Sequence, residues 1–246
     1  MTEPADTARP VLWERIGSSG PGRRPSLSHD AIARASIALA DAEGIDAVSM
    51  RRIAKELGVG TMSLYRYVES REELVDLMVD AAMGEFGYAE TSVGSWRETL
   101  VELAHTCRRL MRAHPWLAPV FIGRPPMGPR ILAMLEETLA RLDQPGLRID
   151  DLLDLQATVT QFVMGYVLAE NAEQESQRTS GLDQEQWRAR IGPYLMRVLD
   201  RGQHPYVRRV VMDAEDYPDP DEVFARRLGY VIDGLAAGLG LANDPG

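Results

Sequence analysis

Apolar residues recur along most of this chain at intervals of three and four, which is the period of amphipathic α-helices. No stretch of useful length alternates between apolar and polar residues as a half-buried strand does. Serine or aspartate stands at the start of most periodic segments, where an N-cap is favoured. The pattern predicts an all-α fold with a helix that begins at Ser70 and further helices over residues 28–44, 49–57, 60–68, 95–114, 129–142, 150–174, 183–199 and 219–239.

The segment from Ser49 to Val68 has the pattern of two short helices joined by a tight turn. Gly58 stands where a helix end favours a left-handed residue, and Leu64 and Val68 lie one turn apart in the second helix. The remaining residues of that helix then face outward: Thr61, Met62, Ser63, Tyr65, Arg66 and Tyr67. Short polar side chains, an arginine and tyrosine hydroxyls suit base edges and phosphates. The segment is therefore predicted to be a helix-turn-helix.

An ordinary helical hairpin would also place a glycine at this turn. The flanking sequence favours the DNA-binding interpretation, because a helix over residues 28–44 precedes the motif and ends at Gly44. After the motif, residues 70–73 (Ser-Arg-Glu-Glu) form a capping box that opens a fourth helix.

Residues 28–78 resemble the DNA-binding domain of the TetR (tetracycline repressor) family of bacterial transcription regulators. The resemblance is carried by Ala35, Leu39, Gly44, Ser49, Ile53, Ala54, Gly58, Val59, Leu64, Tyr65, Tyr67, Arg71 and Leu74. Tyr67 stands where the family usually has a histidine, and Arg71 stands where it usually has a lysine. Because Tyr67 keeps a donor and Arg71 keeps the charge, DNA binding is still expected.

The resemblance implies a role in DNA binding for each outward position. The residues expected to hold the phosphate backbone are Ser49, Tyr65, Tyr67 and Arg71. Those expected to face the groove are Arg51, Thr61, Met62, Ser63 and Arg66. The alternatives are that Arg51 and Arg66 are solvated surface charges and that Tyr65 is mainly a packing residue.

The sequence divides into a flexible N-terminal arm (1–27), a three-helix DNA-binding domain (28–74) and a C-terminal helical domain for ligand binding and dimerisation (75–246). In the arm, Arg23 and Arg24 lie close enough to Ser28 to reach a minor groove, although the arm can also be an ordinary charged linker. Four apolar residues near its start can dock on the body: Val11, Leu12, Trp13 and Ile16.

Charge and composition fit an intracellular protein that touches DNA with one part only. The net charge is −10, yet residues 23–71 carry eight basic and six acidic side chains, so the remainder carries −12. A positive tip on an acidic body fits sequence-selective binding. The single cysteine, Cys107, suits a reducing cytoplasm. With no run of 18 apolar residues, no membrane span is expected.

The resemblance also implies a homodimer. In the family, two C-terminal helices pair with their copies, which corresponds here to residues near 152–170 and 222–240. Gly229, Gly234 and Gly238 in the last helix suit close helix approach, although packing within one subunit would also account for them. A dimer would read two half-sites one DNA turn apart in a palindromic operator.

A small-molecule pocket in the C-terminal domain is expected on the same basis, and its occupation would release DNA. The candidate lining residues are Leu103, Cys107, Met111, Trp116, Phe121, Met134, Leu135, Gln156, Thr160 and Met164. Gln156 and Thr160, one helical turn apart, can supply the polar groups. Taken singly, each apolar candidate is more often plain core.

Other function classes have less support in the sequence. His105 and His114 form no metal-ligand pattern, and no catalytic set, phosphate loop or cofactor motif is present, so no cofactor, metal or enzymatic activity is expected. The alternatives that stay open are a transcriptional activator, a ligand-independent regulator, and a helical enzyme or small-molecule-binding protein with a DNA-binding head.

Overall fold

A computed structural model describes residues 10–17, 27–88, 94–122, 126–214 and 219–241 of the 246-residue chain. Within these ranges the chain is helical and has no strand, which confirms the all-α prediction. The helices are α1 (Leu12–Gly17), α2 (His29–Glu43), α3 (Met50–Glu56), α4 (Thr61–Leu64), α5 (Arg71–Met83), α6 (Trp96–Ala113), α7 (Leu117–Phe121), α8 (Pro129–Leu142), α9 (Ile149–Ser180), α10 (Gln184–Leu199), α11 (Pro205–Asp213) and α12 (Pro220–Leu239), with a 3-10 turn over Ile45–Ala47.

Serine caps explain where four of these helices begin. The hydroxyls of Ser28, Ser49, Ser70 and Ser95 each accept the amide three residues later, at the starts of α2, α3, α5 and α6. At Ser95 the reciprocal bond from Glu98 is also present, which completes a capping box. Signals in the local sequence therefore account for where these four helices begin.

Two parts of the helix prediction need correction. The long helix α9 does not end near residue 174 but continues to Ser180, where Gly181 has a φ of 68° and breaks it. The added turns are polar and are held by side-chain bonds one turn apart, such as Gln177 to Glu173. The sequence reading also missed α7, which at five residues is too short to show two turns of periodicity, and α11, which has nine residues.

The first helix also departs from expectation. The sequence predicts a flexible arm over residues 1–27, but residues 12–17 form α1. Leu12 is buried, and the guanidinium of Arg15 pairs with Glu73 at 2.5 Å and with Glu69 at 3.8 Å. The helix thus docks at the start of α5 in the DNA-binding region, and Leu12 is one of the four apolar residues expected to dock on the body.

The described residues form two compact units, one ending at Met164 and the other beginning at Gly165. The core of the first is built from fully buried side chains of α2 to α9: Ile32, Ile53, Leu64, Leu74, Met78, Leu100, Leu103, Leu117, Leu142 and Leu155. In the second, Phe224 and Leu228 of α12 are fully buried, and the Phe224 ring meets Tyr166 edge to face at 5.0 Å between centroids.

Helix α9 also meets the length and apolarity of a membrane span, although it contains no uncharged run of 18 apolar residues. Its residues Leu152, Leu155, Val159, Val163 and Val167 are buried on one side of the helix. The core helix of a water-soluble helical protein has the same length and composition.

Candidate DNA-binding site

A sharp corner joins α3 to α4. Gly58 has a φ of 64°, a left-handed conformation that favours glycine, and the amide of Val59 closes the turn on the carbonyl of Ala54 at 2.9 Å. Helix α4 then starts at Thr61, and the amide of Ser63 bonds to the carbonyl of Gly60. The regular helix is shorter than predicted and spans only Thr61–Leu64.

The helical turn nevertheless continues past the end of α4. The amides of Tyr65 and Val68 bond to carbonyls four residues earlier, those of Thr61 and Leu64. Leu64 and Val68 are fully buried, so the opposite side of this segment faces solvent. Backbone geometry and burial together present residues 61–67 as one outward surface.

The exposure of that surface varies from residue to residue. Met62 is 79% exposed, Tyr65 is 42% exposed, and Arg66 is also exposed. Thr61 and Ser63 are half-buried. The structure thus brings five of the six proposed contact residues of the second helix to one face, with Met62 the most exposed.

Tyr67 is half-buried against the start of α2. The ring of His29 meets its ring edge to face at 5.2 Å, and His29 Nε2 donates to the Tyr67 carbonyl at 3.2 Å. His29 was not singled out from the sequence, since it lies 38 residues away and belongs to no motif. It fixes the position of the tyrosine that replaces the family's usual histidine.

Arg71, expected to contact a phosphate, is engaged with the protein itself. Its Nε donates to the carbonyl of Val48 at 3.0 Å and a terminal nitrogen donates to the carbonyl of Ile45 at 2.9 Å. Ser49 at the start of α3 is also expected to contact a phosphate. In the structure its hydroxyl oxygen accepts a hydrogen bond from the Arg52 amide.

The remaining arginines of the region divide into two kinds. Arg52 pairs with Glu43 at 2.6 Å and with Glu56 at 3.4 Å, bracing α3 against the end of α2. Arg51 and Arg66 are exposed, and neither makes a hydrogen bond or ion pair with any residue that the structure describes. Arg23 and Arg24 lie outside the described residues.

A cluster at the corner between α6 and α7 connects to α2. His114 Nδ1 donates to Asp41 Oδ1 at 2.8 Å, and the indole of Trp116 donates to the same oxygen at 2.7 Å. The other ring nitrogen of His114 faces Glu85, just beyond α5, at 3.4 Å. The sequence suggests Trp116 as a pocket residue; in the structure its indole N–H is hydrogen-bonded to Asp41.

A second connection joins α5 to α8. The carboxylate of Asp80, only 2% exposed, accepts the amides of Arg130 and Ile131 at the start of α8 at 2.9 and 3.3 Å. It therefore caps a helix that begins about fifty residues later in the chain. Arg130 adds weaker ion pairs to Asp80 and to Asp30 of α2, at 3.7 and 3.9 Å.

The ligand-binding candidates occupy several helices. Leu103, Cys107 and Met111 are buried along one face of α6, which packs on α8, where Met134 and Leu135 are half-buried. Phe121 and Met164 are also half-buried. Gln156 donates to Thr160 at 3.1 Å, so these two polar groups partly satisfy each other.

Tyr88 is a polar group in this region that sequence reasoning missed. Its hydroxyl bonds to Thr138 of α8 at 2.7 Å, and the Arg141 guanidinium lies 4.3 Å from its ring centre. Burial raises the pKa of Tyr88, against the opposing effect of the Thr138 bond. Burial also raises the pKa of Cys107 to about 12, so both groups are neutral at pH 7. Tyr88 lies in the connection before α6, outside any periodic segment.

Within the part of the chain that the structure describes, no three histidine, cysteine or acidic side chains come together as a metal site. The site that remains is a solvent-facing helix-turn-helix connected by polar contacts to the helices behind it.

Comparison with known proteins assigns this arrangement. Residues 32–78 match the family described as bacterial regulatory proteins, tetR family, and residues 89–239 match the tetracyclin repressor-like C-terminal domain. The chain belongs to the TetR family.

Curated members of the TetR family include close relatives of the whole chain. The HTH-type transcriptional repressor DrrR1 of Streptomyces coeruleorubidus is 37% identical over 228 residues, which are 92% of this chain and 83% of the relative. An HTH-type transcriptional regulator of Saccharopolyspora erythraea is 32% identical over 242 residues, 98% of this chain and 97% of the relative.

Solved TetR-family structures agree. Apo ActR from Streptomyces coelicolor superposes with a TM-score of 0.71 and 31% identity, covering 88% of this chain and all of the ActR chain. ActR complexes with (S)-DNPA and with actinorhodin match equally well, with the same TM-score. This TetR-family chain is therefore a DNA-binding transcriptional regulator, and the resemblance seen in residues 28–78 is confirmed.

Proposed function

We propose that this TetR-family regulator is a homodimeric repressor that binds a near-palindromic operator and leaves it when a small molecule binds its C-terminal domain. The observation that carries the proposal is the surface formed by residues 61–67, which is held outward by the buried side chains of Leu64 and Val68. One such surface is short, so two copies are needed for discrimination among DNA sequences.

The charges of the region support this use. Arg51 and Arg66 are exposed and have no protein partner among the described residues, so they are available to DNA. We assign Thr61, Met62, Ser63 and Arg66 to base edges. Tyr65 and Tyr67 would contact phosphates, Ser49 would add its hydroxyl, and Arg51 would reach the groove from α3. A minor-groove contact by Arg23 and Arg24 stays part of the proposal.

Small residues on α9 and α12 support the dimer. A Cβ built on Gly229, Gly234 or Gly238 of α12 would meet nothing within 4 Å, so close packing within one subunit does not account for these glycines. Tyr230 on the same helix is 68% exposed. On α9, the small residues Gly165 and Ala169 are exposed one helical turn apart. Pairing with a second copy would cover these faces.

The effector would bind among the α6 and α8 residues near Tyr88. This region combines apolar side chains with a few polar groups, which is the usual composition of a ligand site. Actinorhodin and (S)-DNPA, the compounds found with ActR, are the first probes to try. As a regulator of transcription, the protein would act in the cytoplasm. An activator or a ligand-independent regulator would share the same DNA surface.

A gel-shift assay with the DNA upstream of its own coding sequence tests the proposal. We expect saturable binding at nanomolar protein that weakens as salt rises and that the unlabelled fragment competes better than a shuffled one. Actinorhodin or (S)-DNPA, if either is an effector, should dissociate the complex. Absence of binding even at low salt would favour the helical ligand-binding protein or enzyme instead.

Light scattering tests the dimer separately. The chain mass is 27.3 kDa, so a particle of twice that mass is expected. Gly234→Arg should give monomers that remain helical, because its position is exposed within one subunit. Ala140→Arg, at an exposed position of α8, is the matched control and should stay dimeric.

A further inference from the structure

Arg71 is the first residue of α5, and its guanidinium spans the turn that precedes the helix-turn-helix. Two of its nitrogens donate to two main-chain carbonyls, those of Val48 at 3.0 Å and Ile45 at 2.9 Å. Both donors belong to one rigid plane, so the two bonds fix the carbonyls relative to each other and to the start of α5.

The carbonyls that Arg71 holds lie directly before α3. Val48 is fully buried, and the next residue, Ser49, caps α3 by accepting the Arg52 amide. The carbonyl of Ser49 accepts the Ile53 amide as the first bond of the helix. Any movement of this turn would therefore move the first turn of α3.

Helix α3 in turn positions α4. The two helices pack together and are joined by the Gly58 corner, whose closing bond runs from Val59 to Ala54. The outward surface of residues 61–67 thus depends on where α3 begins. Arg52 adds a second brace to α3 through Glu43 and Glu56.

This use of a cation differs from that of the exposed arginines nearby. Arg51 and Arg66 have no protein partner in the described residues and can turn to DNA without loss of an internal bond. Arg71 would have to give up one or both carbonyls to reach a phosphate fully. Lysine, the family's usual residue here, offers a single hydrated ammonium instead of a planar fork.

We infer that Arg71 is a positioning residue: it fixes the start of the helix-turn-helix through the carbonyls of Ile45 and Val48, instead of serving mainly to neutralise a phosphate. The inference rests on the proposed operator binding by residues 61–67. It predicts that guanidinium geometry at position 71 matters for sequence discrimination, and that charge alone is not enough.

Two variants separate geometry from charge. Arg71→Lys keeps the charge and loses the fork, whereas Arg71→Gln loses both. Arg34→Lys is the matched control, because Arg34 is an exposed arginine of α2 that makes no hydrogen bond or ion pair with the described residues.

The first measurement is amide hydrogen exchange on the free, full-length protein. The amides of Arg52 and Ile53 report on the first turn of α3. We expect both to exchange about tenfold faster in Arg71→Lys than in the wild type, as loss of roughly one charged hydrogen bond would give. Arg34→Lys should leave them unchanged.

The second measurement is the affinity for a duplex selected from a random pool by the wild-type protein, compared with a shuffled duplex. At a temperature where every variant is fully folded, Arg71→Lys and Arg71→Gln should both lower the ratio of specific to non-specific affinity about tenfold. The slope of log affinity against log salt should stay at the wild-type value in both, because no phosphate contact is removed.

Wild-type behaviour of Arg71→Lys in both measurements would overturn the inference, particularly if Arg71→Gln reduced the salt slope by about 0.9, as loss of one phosphate contact does. Faster exchange without any change in the specificity ratio would overturn it too, since Arg71 would then only stabilise the fold. If the wild-type protein selected no duplex at all, the proposed function would fail instead. Hydrogen exchange would still test whether Arg71 stabilises the first turn of α3.

Discussion

The indole of Trp116 and the imidazole of His114 donate to the same oxygen of Asp41, at 2.7 and 2.8 Å. Asp41 belongs to α2 in the DNA-binding region, and the two donors belong to the corner between α6 and α7. One carboxylate oxygen therefore connects α2, which packs behind the proposed DNA surface, to the corner between α6 and α7. A ligand that moved this corner would shift α2 through these two hydrogen bonds.

Replacing Trp116 with phenylalanine should reveal the strength of this connection. The ring stays apolar and aromatic, but the carboxylate of Asp41 loses a donor in a partly buried place, so the free energy of unfolding should fall by about 1 to 2 kcal/mol. Urea denaturation of Trp116→Phe against the wild type measures the change. Trp187→Phe is the control, since Trp187 is 56% exposed; equal stabilities for the two variants would contradict the expectation.

Gly128 and Asp80 should be energetically coupled. A Cβ built on Gly128 would clash with the Asp80 carboxylate oxygen that caps α8, so that something must shift. Gly128→Ala should therefore destabilise the protein by about 1 to 3 kcal/mol. Gly87→Ala, where a Cβ meets nothing within 4 Å, should change stability far less.

A double-mutant cycle tests the cause. In an Asp80→Ala background the two nearest clashing atoms, Asp80 Oδ1 and Cγ, are gone, so Gly128→Ala should cost less than it does alone; the Cβ of residue 80, at 2.8 Å, remains and should leave part of the cost. Asp80→Ala itself should destabilise, since it leaves the amides of Arg130 and Ile131 without their acceptor. Strictly additive effects would show that the two residues do not interact in this way.

The helix-turn-helix could be predicted from the sequence, whereas these long-range polar contacts could not. The helix-turn-helix follows from signals within a few residues of each other, such as the Ser49 cap and the left-handed Gly58, so it was predictable. The contact between Asp41 and Trp116 joins residues 75 positions apart, and that between Asp80 and Arg130 joins residues 50 apart. No local pattern indicates which distant partner a polar side chain will meet.

The same limit explains Arg71 and Tyr88. The family resemblance predicts a phosphate contact for Arg71, because a positive charge can be recognised from the sequence. The two carbonyls to which Arg71 donates come within its reach only in the folded turn. Tyr88 lies in a connection without periodicity, and only folding brings its hydroxyl to Thr138.

The ion pair between Arg15 and Glu73 should make stability depend on pH. Burial alone would raise the pKa of Glu73, but the Arg15 bond, the Glu69 amide and the Arg15 charge outweigh it and hold the pKa below its ordinary value. A carboxyl whose pKa is lowered on folding stabilises the fold above its unfolded pKa of about 4.3, and this stabilisation is lost as pH falls through the folded value. Arg15→Met should thus be less stable than the wild type at pH 7, by about 0.5 to 1 kcal/mol.

That difference should shrink steadily below about pH 5 as Glu73 takes up a proton in both proteins. Urea midpoints at several pH values between about 3.5 and 7 provide the measurement. Arg178→Met removes a cation from an exposed pair with Glu175 and should have little effect at any pH. A deficit of Arg15→Met that did not vary with pH would point to lost packing of α1 instead.

Substitutions on the outward surface should separate affinity from sequence preference. Tyr67 is held by His29 beside the expected phosphate path, so Tyr67→Ala should weaken binding to all duplexes alike. Thr61 and Arg66 face the expected base edges, so Thr61→Ala and Arg66→Ala should change which bases are preferred, with losses of about 1 to 3 kcal/mol for the best operator. Binding to a library of single-base operator variants measures both effects.

Tyr67→Phe, which keeps the ring contact with His29 and removes the hydroxyl, shows how much of the Tyr67 effect comes from the phosphate bond. If Tyr67→Ala, Thr61→Ala and Arg66→Ala all bound the operator as the wild type does, the DNA would not meet the protein at residues 61–67.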